Sequence, residues 1–394
     1  MAGIAARRDF FEALVIADVD LPRAERAAGR TGDRRVTAAR VDATNCADVL
    51  ALARQTRADV VINACDPRFN PPIFDAAFAA GATYVDMAMH LSAPHPSDPY
   101  HQVGKILGQD QLAASGAWAE RGQLALVGMG VEPGLSDVLA RYASDHLFSR
   151  IDELGVRDGS NLAIEGMGFA PTFSIWTTIE ECLNPPIVYE RERGWFTTEP
   201  FSEPELFEFP DGIGAITCVN VEHEEVVLMP RWIDAGRVTF KYGLGEEFID
   251  VLRTLHKLGL DRTAPVSVRG NPVSPRDLVA ACLPNPAELG DRMTGLTCAG
   301  TMVTGLGLDG LPRASYLYQV VDNAWTMAEY GHQAVVWQTA LNPVVALELV
   351  AAGCWKGEGV LGPEAFDARS YLSLLDDYGA PWCLDERQGL RAVA

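Results

Sequence analysis

The sequence predicts an α/β protein with two main domains: a parallel sheet covered by helices, then an α+β domain whose sheet is largely antiparallel. Up to about residue 130, short apolar runs alternate with helical patterns, which is typical of βαβ units. Beyond that point strand-like runs lie close together, as in antiparallel sheets. A chain of 394 residues is also longer than one hydrophobic core usually serves.

The first part of the chain contains five apolar runs that we predict to be buried parallel strands, because Asp, Asn or Gly bounds each of them. These runs are Ala13–Ala17, Val36–Val41, Val60–Ala64, Thr83–Val85 and Leu124–Val127. Segments rich in helix-forming residues lie between or beside them. The predicted helices are Leu21–Ala28, Ala47–Arg57, Pro72–Ala80 and Gln111–Arg121.

A helix over Asp137–His146 is predicted to lead into the second part, where three runs favour strands. These are Ile213–Val221, Glu225–Met229 and Arg237–Tyr242. A long apolar helix over Ala334–Ala352 should be kinked or restarted at Pro343 and pack back on the first domain. We therefore expect domains over residues 1–134 and 135–330, with C-terminal helices over residues 331–394.

Composition excludes several classes of partner. The formal charge of −21, with no Lys/Arg-rich stripe, repels phosphate backbones and anionic lipids, so neither nucleic acid nor a membrane is an expected partner. The eight cysteines are scattered and form no CxxC pair, which indicates thiols in a reducing compartment. No signal peptide is predicted at the start, so we expect a cytoplasmic protein. His90, His95 and His101 lie around a Pro-rich loop without ligand-like spacing, and no metal site is predicted.

The ends of the first predicted strands suggest a dinucleotide site. Asp18 directly follows an apolar run, where a Rossmann-type domain places a carboxylate that binds the ribose 2′-hydroxyl, with Asp20 as a substitute. Asp42 could contact adenine, and Asn63, Ala64 and Cys65 put small groups where a cofactor crosses the sheet edge. An acidic residue at this position favours NAD, with NADP possible because an arginine lies nearby.

A glycine-rich phosphate loop should precede such a carboxylate by about 20 residues, which counts back to a point before Met1. We therefore expect the sequence to be an incomplete version of the domain that lacks the first strand and its loop. The strand near Ala13 should then have an open flank, and the chain as written should bind NAD poorly.

The motifs VIADVD, DVVINACDP, ATYVDMA and ALVGMGVEPGLSDVLA together resemble the saccharopine dehydrogenase family over nearly the whole chain. The most specific piece is the turn from Gly128 to Gly134. The resemblance implies NAD(P)-linked hydride transfer at a carbon bearing an amine, through an imine, on an amino-acid-like substrate. The segment from His90 to Leu112 looks longer than the family's usual link, which affects the substrate assignment.

Candidate catalytic residues follow from the chemistry, which must move a proton on nitrogen and bind a substrate ammonium. Asp86 ends a predicted strand at the carboxyl edge, and Glu132 lies in the turn after the next strand. Arg231, Lys241 and Tyr242 are candidates for binding substrate, with Arg231 and Lys241 supplying cations for its carboxylates. Lys105 and His223 are further possible general acids. Structural alternatives are caps for the acidic residues and ordinary surface side chains for the basic ones.

Three functions remain open on this basis. The leading interpretation is an NAD-linked oxidoreductase that acts on a CH–NH or CH–NH₂ group of a small molecule, as a homodimer. A second is a cofactor-deficient homologue that acts as a binding or scaffold subunit. A third is an NADP-linked reductase of an unrelated carbonyl compound.

Overall fold

The computed structural model describes residues 1–169 and 171–387. The chain folds into two compact units. The first contains Met1–Ala93, Lys105–Tyr142 and Gln338–Pro381, and the second contains Pro94–Gly104, Ala143–Trp337 and the chain from Trp382. The domain limits expected from the sequence, at residues 134 and 330, remain predictions, because the two compact units are made of several chain segments each.

Helices and strands alternate in the first third of the chain. They are α1 (Ala2–Ala5), β1 (Leu14–Asp18), α2 (Leu21–Thr31), β2 (Val36–Arg40), α3 (Cys46–Thr56), β3 (Val60–Asn63), α4 (Asn70–Ala80), β4 (Thr83–Asp86), α5 (Gln109–Ala113), α6 (Ser115–Glu120), β5 (Leu124–Leu126) and α7 (Leu135–His146).

Strands predominate in the middle of the chain, with helices between some of them. The elements are β6 (Phe148–Ser160), β7 (Ala163–Ile164), α8 (Ile175–Leu183), β8 (Ile187–Glu190), β9 (Gly194–Thr197), β10 (Glu205–Phe209), β11 (Gly214–Asn220), α9 (Glu225–Trp232), β12 (Ala235–Gly243), α10 (Glu246–Leu258), β13 (Val266–Val268), β14 (Asn271–Val273) and α11 (Pro275–Cys282). The last elements are β15 (Met293–Thr294), β16 (Leu296–Gly307), β17 (Pro312–Asp322), α12 (Asn323–Tyr330), α13 (Ala334–Ala351), β18 (Gly359–Leu361), α14 (Ala368–Asp377) and β19 (Cys383–Glu386).

The first unit contains two parallel sheets. One has the strand order β18-β5-β4-β3, and the other consists of β1 and β2. Its helices begin and end where the sequence supplies the needed groups: the Asn45 side chain accepts a hydrogen bond from the first turn of α3, and Gly81 ends α4 with φ of 81°. The βαβ prediction for this part is confirmed.

One edge of β1 and one edge of β3 have no strand neighbour among the described residues. In that part of the chain β1 pairs with β2 alone, and β3 pairs with β4 alone. The expected open flank of the strand near Ala13 is therefore confirmed.

The second unit is built on a nine-stranded sheet with the order β10-β11-β12-β6-β16-β17-β19, to which β8 and β9 are added beside β12. Within residues 1–169 and 171–387, only one of its pairings is parallel, that of β12 with β6. The three long central strands β6, β16 and β17 form the middle of the sheet. The predicted fold class, a Rossmann-type parallel sheet with a largely antiparallel second sheet, is confirmed.

Two assignments of secondary structure from the sequence were wrong. Glu225–Met229 was expected to be a strand but forms the start of α9. Val226, Val227, Leu228 and Met229 are all completely buried there, and a short continuous apolar run has no period that separates a buried strand from a buried helix. The helix expected over Gln111–Arg121 is two short helices, α5 and α6.

Helix α13 runs through Pro343 as one helix, so the restart expected there does not occur. The Asn342 side chain donates to the Gln338 carbonyl, 2.8 Å away, one turn earlier. The helix is long and apolar enough to cross a membrane by length and composition alone, but 56% of it is buried inside the protein. Burial of this kind is what the core helix of a globular protein shows, so α13 is weak evidence for a membrane.

Candidate functional site

Asp18 lies at the carboxyl end of β1, as the sequence predicted. One of its oxygens accepts the backbone N–H of Asp20 at 2.9 Å, and the other lies 3.7 Å from the exposed guanidinium of Arg23. Partial burial raises the pKa of the Cys65 thiol, and the charges of Asp18 and Asp66 raise it further. The carboxyl ends of β1 and β3 therefore lie near each other, on the side of a parallel sheet where ligands bind.

The other predicted cofactor residues differ in their hydrogen bonds and in their exposure. The Asn63 amide donates to Asn70 and Tyr84, and its oxygen accepts the Cys65 N–H, so it shapes the turn after β3. Ala64 is exposed at that turn. The Asp42 carboxylate accepts the hydroxyl and backbone N–H of Thr44, which lower its pKa.

These residues fit the adenosine half of a dinucleotide, because they offer a partly exposed carboxylate at the end of β1 and small groups at the end of β3. A glycine-rich loop between a strand and a helix would hold the pyrophosphate. The sequence does contain a G-x-G-x-x-G run from Gly305 to Gly310, but it lies at the hairpin between β16 and β17. Without a following helix N-terminus that run lacks the context of a phosphate loop.

The two predicted catalytic carboxylates occupy different environments. Asp86, at the end of β4, is buried with 1% exposure and accepts the Gly128 N–H at 2.7 Å. Glu132 lies half-buried in the turn from Gly128 to Gly134. This turn needs glycine at position 134, because a Cβ there would overlap the backbone of Gly130.

A cluster of ionisable groups lies in the second unit, of which the sequence had indicated His223 alone, as a possible general acid. We call it the acidic cluster. It consists of Glu181 in α8 and of Glu222, His223, Glu224 and Glu225, which lead into α9. The last four are buried, with exposures between 0 and 7%.

His223 is the centre of the acidic cluster. Its Nδ1 lies 2.5 Å from a Glu225 oxygen and 3.5 Å from a Glu224 oxygen. Its ring stacks on Phe240 of β12, with centroids 3.7 Å apart and planes at 4°. On the Glu222 side, Asn184 donates to the carboxylate at 2.9 Å.

Two groups of the acidic cluster have raised pKa values. Burial raises the pKa of Glu181 to about 8, with the neighbouring carboxylates adding to the shift and His223 opposing it. Burial disfavours a charged imidazole, but Glu225 and Glu224 outweigh it and raise the pKa of His223 to about 10. The negative charges that raise the pKa of His223 would also favour bound positive charge at this place.

The side chains of His223, Glu224 and Glu225 have ligand atoms within 4.8 Å of one another, a spacing that a metal ion could bridge. The Nδ1 atom of His223 faces the Glu225 carboxylate at 2.5 Å, and the acidic side chains around it would also attract an organic cation.

The predicted substrate residues lie on α9 and β12. Tyr242 and Phe240 alternate with Lys241 along β12, so the Tyr242 ring lies on the same face as Phe240, at 6.3 Å. The Lys241 ammonium is buried and lies 2.7 Å from a Glu205 oxygen. Arg231 is exposed on α9 rather than on a loop after a strand, and its Nε donates to the Val227 carbonyl.

The sequence carried one signal for the acidic cluster, the run Glu222-His223-Glu224-Glu225. Its position beside an apolar run is unusual, since adjacent charges are normally placed in loops exposed to water. Glu181 is 41 residues earlier and could not be connected to this run without the fold.

Comparison with models of protein families identifies the family to which the chain belongs. Residues 1–126 match the saccharopine dehydrogenase NADP binding domain, and residues 130–380 match the saccharopine dehydrogenase C-terminal domain. The chain belongs to the saccharopine dehydrogenase family. The resemblance recognised in the sequence is confirmed, and the carboxyl edge with Asp18 lies in the family's cofactor domain.

Two relatives of this saccharopine dehydrogenase family protein align over most of its length. It is 29% identical over 379 residues to a carboxyaminopropylagmatine dehydrogenase of Synechocystis sp., covering 96% of this chain and 92% of the relative. It is 28% identical over 354 residues to a carboxynorspermidine synthase of Vibrio alginolyticus, covering 90% and 84%.

Solved structures share the fold at low sequence identity. Saccharopine dehydrogenase (L-Glu forming) from Saccharomyces cerevisiae superposes with a TM-score of 0.68 at 14% identity, covering 98% of both chains. Homospermidine synthase from Legionella pneumophila, solved in complex with NAD, gives 0.64 at 13% identity and covers 98% of this chain and 94% of that one. These likenesses support the fold.

Family membership confirms the predicted activity. The protein is an NAD(P)-dependent oxidoreductase of the saccharopine dehydrogenase type. NAD(P) is its cofactor.

Proposed function

We propose that the protein interconverts an imine and the secondary amine of a carboxylated polyamine, which makes it a dehydrogenase of a CH–NH group. Two relatives that align over most of the chain are named after carboxyaminopropylagmatine and carboxynorspermidine, compounds that combine a carboxylate with several basic nitrogens. A substrate of this kind carries more positive charge than an ordinary amino acid and needs carboxylates to bind it.

The observation that carries the proposal is the acidic cluster. Oxygens of Glu225 and Glu224 lie 2.5 and 3.5 Å from Nδ1 of His223, and these two carboxylates together with Glu181 raise the pKa of His223 to about 10. A polyamine nitrogen placed beside Glu181, Glu224 and Glu225 would neutralise carboxylates that are otherwise costly to keep ionised away from water.

The neighbouring aromatic rings add to this site. Tyr242 lies on the same face of β12 as Phe240, which stacks on His223. Ring faces bind ammonium groups by cation–π attraction, which supports Tyr242 as a substrate residue. Arg231 is retained as the proposed partner of a substrate carboxylate, whereas Lys241, paired with Glu205, is proposed to be structural.

Asp18 is proposed to bind the adenosine ribose, with Asp42 and the turn from Asn63 through Ala64 to Cys65 beside it. The nicotinamide, when bound, supplies or accepts the hydride at the carbon next to nitrogen. Glu132 is the proposed group for moving the proton on the substrate nitrogen, because its turn follows β5 in the cofactor domain.

The substrate class is tested by following NAD(P)⁺ reduction with three compounds: carboxynorspermidine, carboxyaminopropylagmatine and saccharopine. We expect at least one of the two polyamine compounds to exceed saccharopine in kcat/KM by about tenfold or more, since one extra buried ion pair contributes about that factor. A preference for saccharopine would contradict the proposal.

The role of the acidic cluster is tested by Glu225→Gln, which keeps the side-chain shape and removes the charge. We expect KM for the preferred polyamine compound to rise by about ten- to a hundredfold, corresponding to ~1.4 to 3 kcal/mol, with little change in cofactor affinity. Glu192→Gln is the matched control, because Glu192 is exposed in the same unit. An unchanged KM in the Glu225 variant would remove the cluster from the site.

Cofactor choice is tested by Asp18→Ser. Loss of the carboxylate leaves Arg23 available to a 2′-phosphate, so the ratio of kcat/KM with NADP to that with NAD should rise by about tenfold. Asp20→Ser is the control, since Asp20 is the neighbouring carboxylate and only its backbone N–H meets Asp18. The same ratio in both variants would refute this role for Asp18.

We also propose a cytoplasmic location and a homodimer. None of the eight cysteines forms a disulfide in the described residues, in keeping with a reducing compartment. Light scattering of the purified chain tests the dimer, and a mass of one chain would contradict it.

A further inference from the structure

Asp86 was predicted from the sequence to be catalytic, but its surroundings in the first unit indicate a different role. One carboxylate oxygen accepts the Gly128 N–H at 2.7 Å. The other accepts the Gln111 side-chain amide at 2.8 Å and lies 3.4 Å from the Asn70 amide nitrogen. Asp86, Asn70 and Gln111 are each at most 4% exposed.

The two amide side chains extend these contacts to further segments. Asn70 donates to the Ala88 carbonyl at 2.8 Å and accepts from Asn63 at 2.7 Å. The Gln111 oxygen accepts the His90 N–H at 2.7 Å. Through them, one carboxylate is connected to the chain just after β3, β4 and β5.

All three strand ends lie at the carboxyl edge of the parallel sheet, in the domain that holds the cofactor in this family. We infer that Asp86, together with Asn70 and Gln111, is a positioning residue that fixes this edge for cofactor binding, and that it transfers no proton itself. A buried network of this kind is stable only when every donor meets an acceptor. Matching each donor to an acceptor therefore matters more than which of the two side chains, 86 or 111, carries the negative charge.

The inference is tested by exchanging donor and acceptor. In Asp86→Asn, the new amide meets the Gln111 amide, donor against donor. Adding Gln111→Glu restores the pairing, because the new carboxylate can accept from the amide introduced at position 86 with one oxygen and from the His90 N–H with the other. The test measures NADP(H) and NAD(H) binding by calorimetry together with the pH profile of kcat.

We expect Asp86→Asn to weaken cofactor binding by about tenfold and the double variant to recover most of that loss. At saturating cofactor, kcat and its pH profile should stay within about twofold in the double variant. Asp75→Asn, at an exposed position of α4, is the matched control and should leave binding unchanged. This test does not depend on which amine is the substrate.

If Asp86→Asn does not fold, Gln111→Met is the variant to use. It removes the side-chain amide that donates to Asp86 and preserves most of the side-chain volume. Cofactor affinity should again fall while kcat at saturation holds. The inference is overturned if Gln111→Met binds cofactor as the wild type does. It is also overturned if the double variant binds cofactor normally but loses a limb of its pH profile, because Asp86 would then be a proton-transfer group.

Discussion

Replacing Trp355 with alanine is expected to lower the free energy of unfolding of the first unit by about 3–5 kcal/mol, the range seen when a buried aromatic ring is removed. Trp355 is 1% exposed and lies between two other rings. Its centroid is 4.7 Å from that of Phe366 and 5.3 Å from that of Tyr371, with nearly parallel planes. Its indole N–H donates to the Asp367 carbonyl at 3.1 Å.

Trp355→Phe separates packing from hydrogen bonding. Phenylalanine keeps most of the stacked area and loses the N–H donor, so we expect a loss of about 1–2 kcal/mol. Chemical denaturation followed by circular dichroism measures both variants. Equal losses for alanine and phenylalanine would show that the hydrogen bond, and not the stack, carries the stability.

Replacing Arg157 with leucine is expected to lower the free energy of unfolding of the second unit by about 3 kcal/mol. The Arg157 side chain is 5% exposed on β6 and meets both oxygens of Glu205, at 2.8 and 3.0 Å. Removing one partner of a buried ion pair leaves the other charge poorly compensated. Lys241 still contacts Glu205, which places the expected loss at the lower end of the usual range.

Arg150→Leu is the matched control for this variant. Arg150 is on the same strand and contacts both oxygens of Asp152, but both side chains are more than half exposed. A surface pair of this kind contributes at most about 1 kcal/mol. A comparable loss in the two variants would contradict the importance of burial.

The same pair makes stability depend on pH. Burial alone would raise the pKa of Glu205, but the Arg157 charge and hydrogen bonds from Arg157 and Lys241 lower it to about 2 from 4.5. A lowered folded-state pKa stabilises the protein above the unfolded value, and this stabilisation is lost as pH falls from about 4.5 to 2. Acid titration of Arg157→Leu should therefore show unfolding at a higher pH than in the wild type. Coincident acid transitions would contradict this.

The sequence was sufficient for the parallel part of the fold, because each buried strand was bounded by residues that end strands. It also placed Asp18 at a carboxyl edge and Asp86 at the end of a strand. It failed at Glu225–Met229, since an apolar run buried on all sides has no period.

The candidate site was harder to predict, because its pairings join distant parts of the chain. Lys241 was expected to bind a carboxylate of the substrate. It does bind a carboxylate, but that carboxylate belongs to Glu205 of the protein itself. Glu181 and His223 come near each other only in the folded chain, where the Glu222 N–H donates to the Glu181 carbonyl at 3.0 Å. Local spacing contains no information about such contacts.

The return of the chain to its first unit affects how the protein can fold during synthesis. β18 pairs with β5, although Gly359 and its partner Leu124 are separated by most of the second unit. The four-stranded sheet can therefore be completed only after residue 361 has left the ribosome. At about 5–20 residues per second, β5 waits more than about ten seconds with one edge unpaired. During that time the nascent chain is open to chaperones and to mispairing.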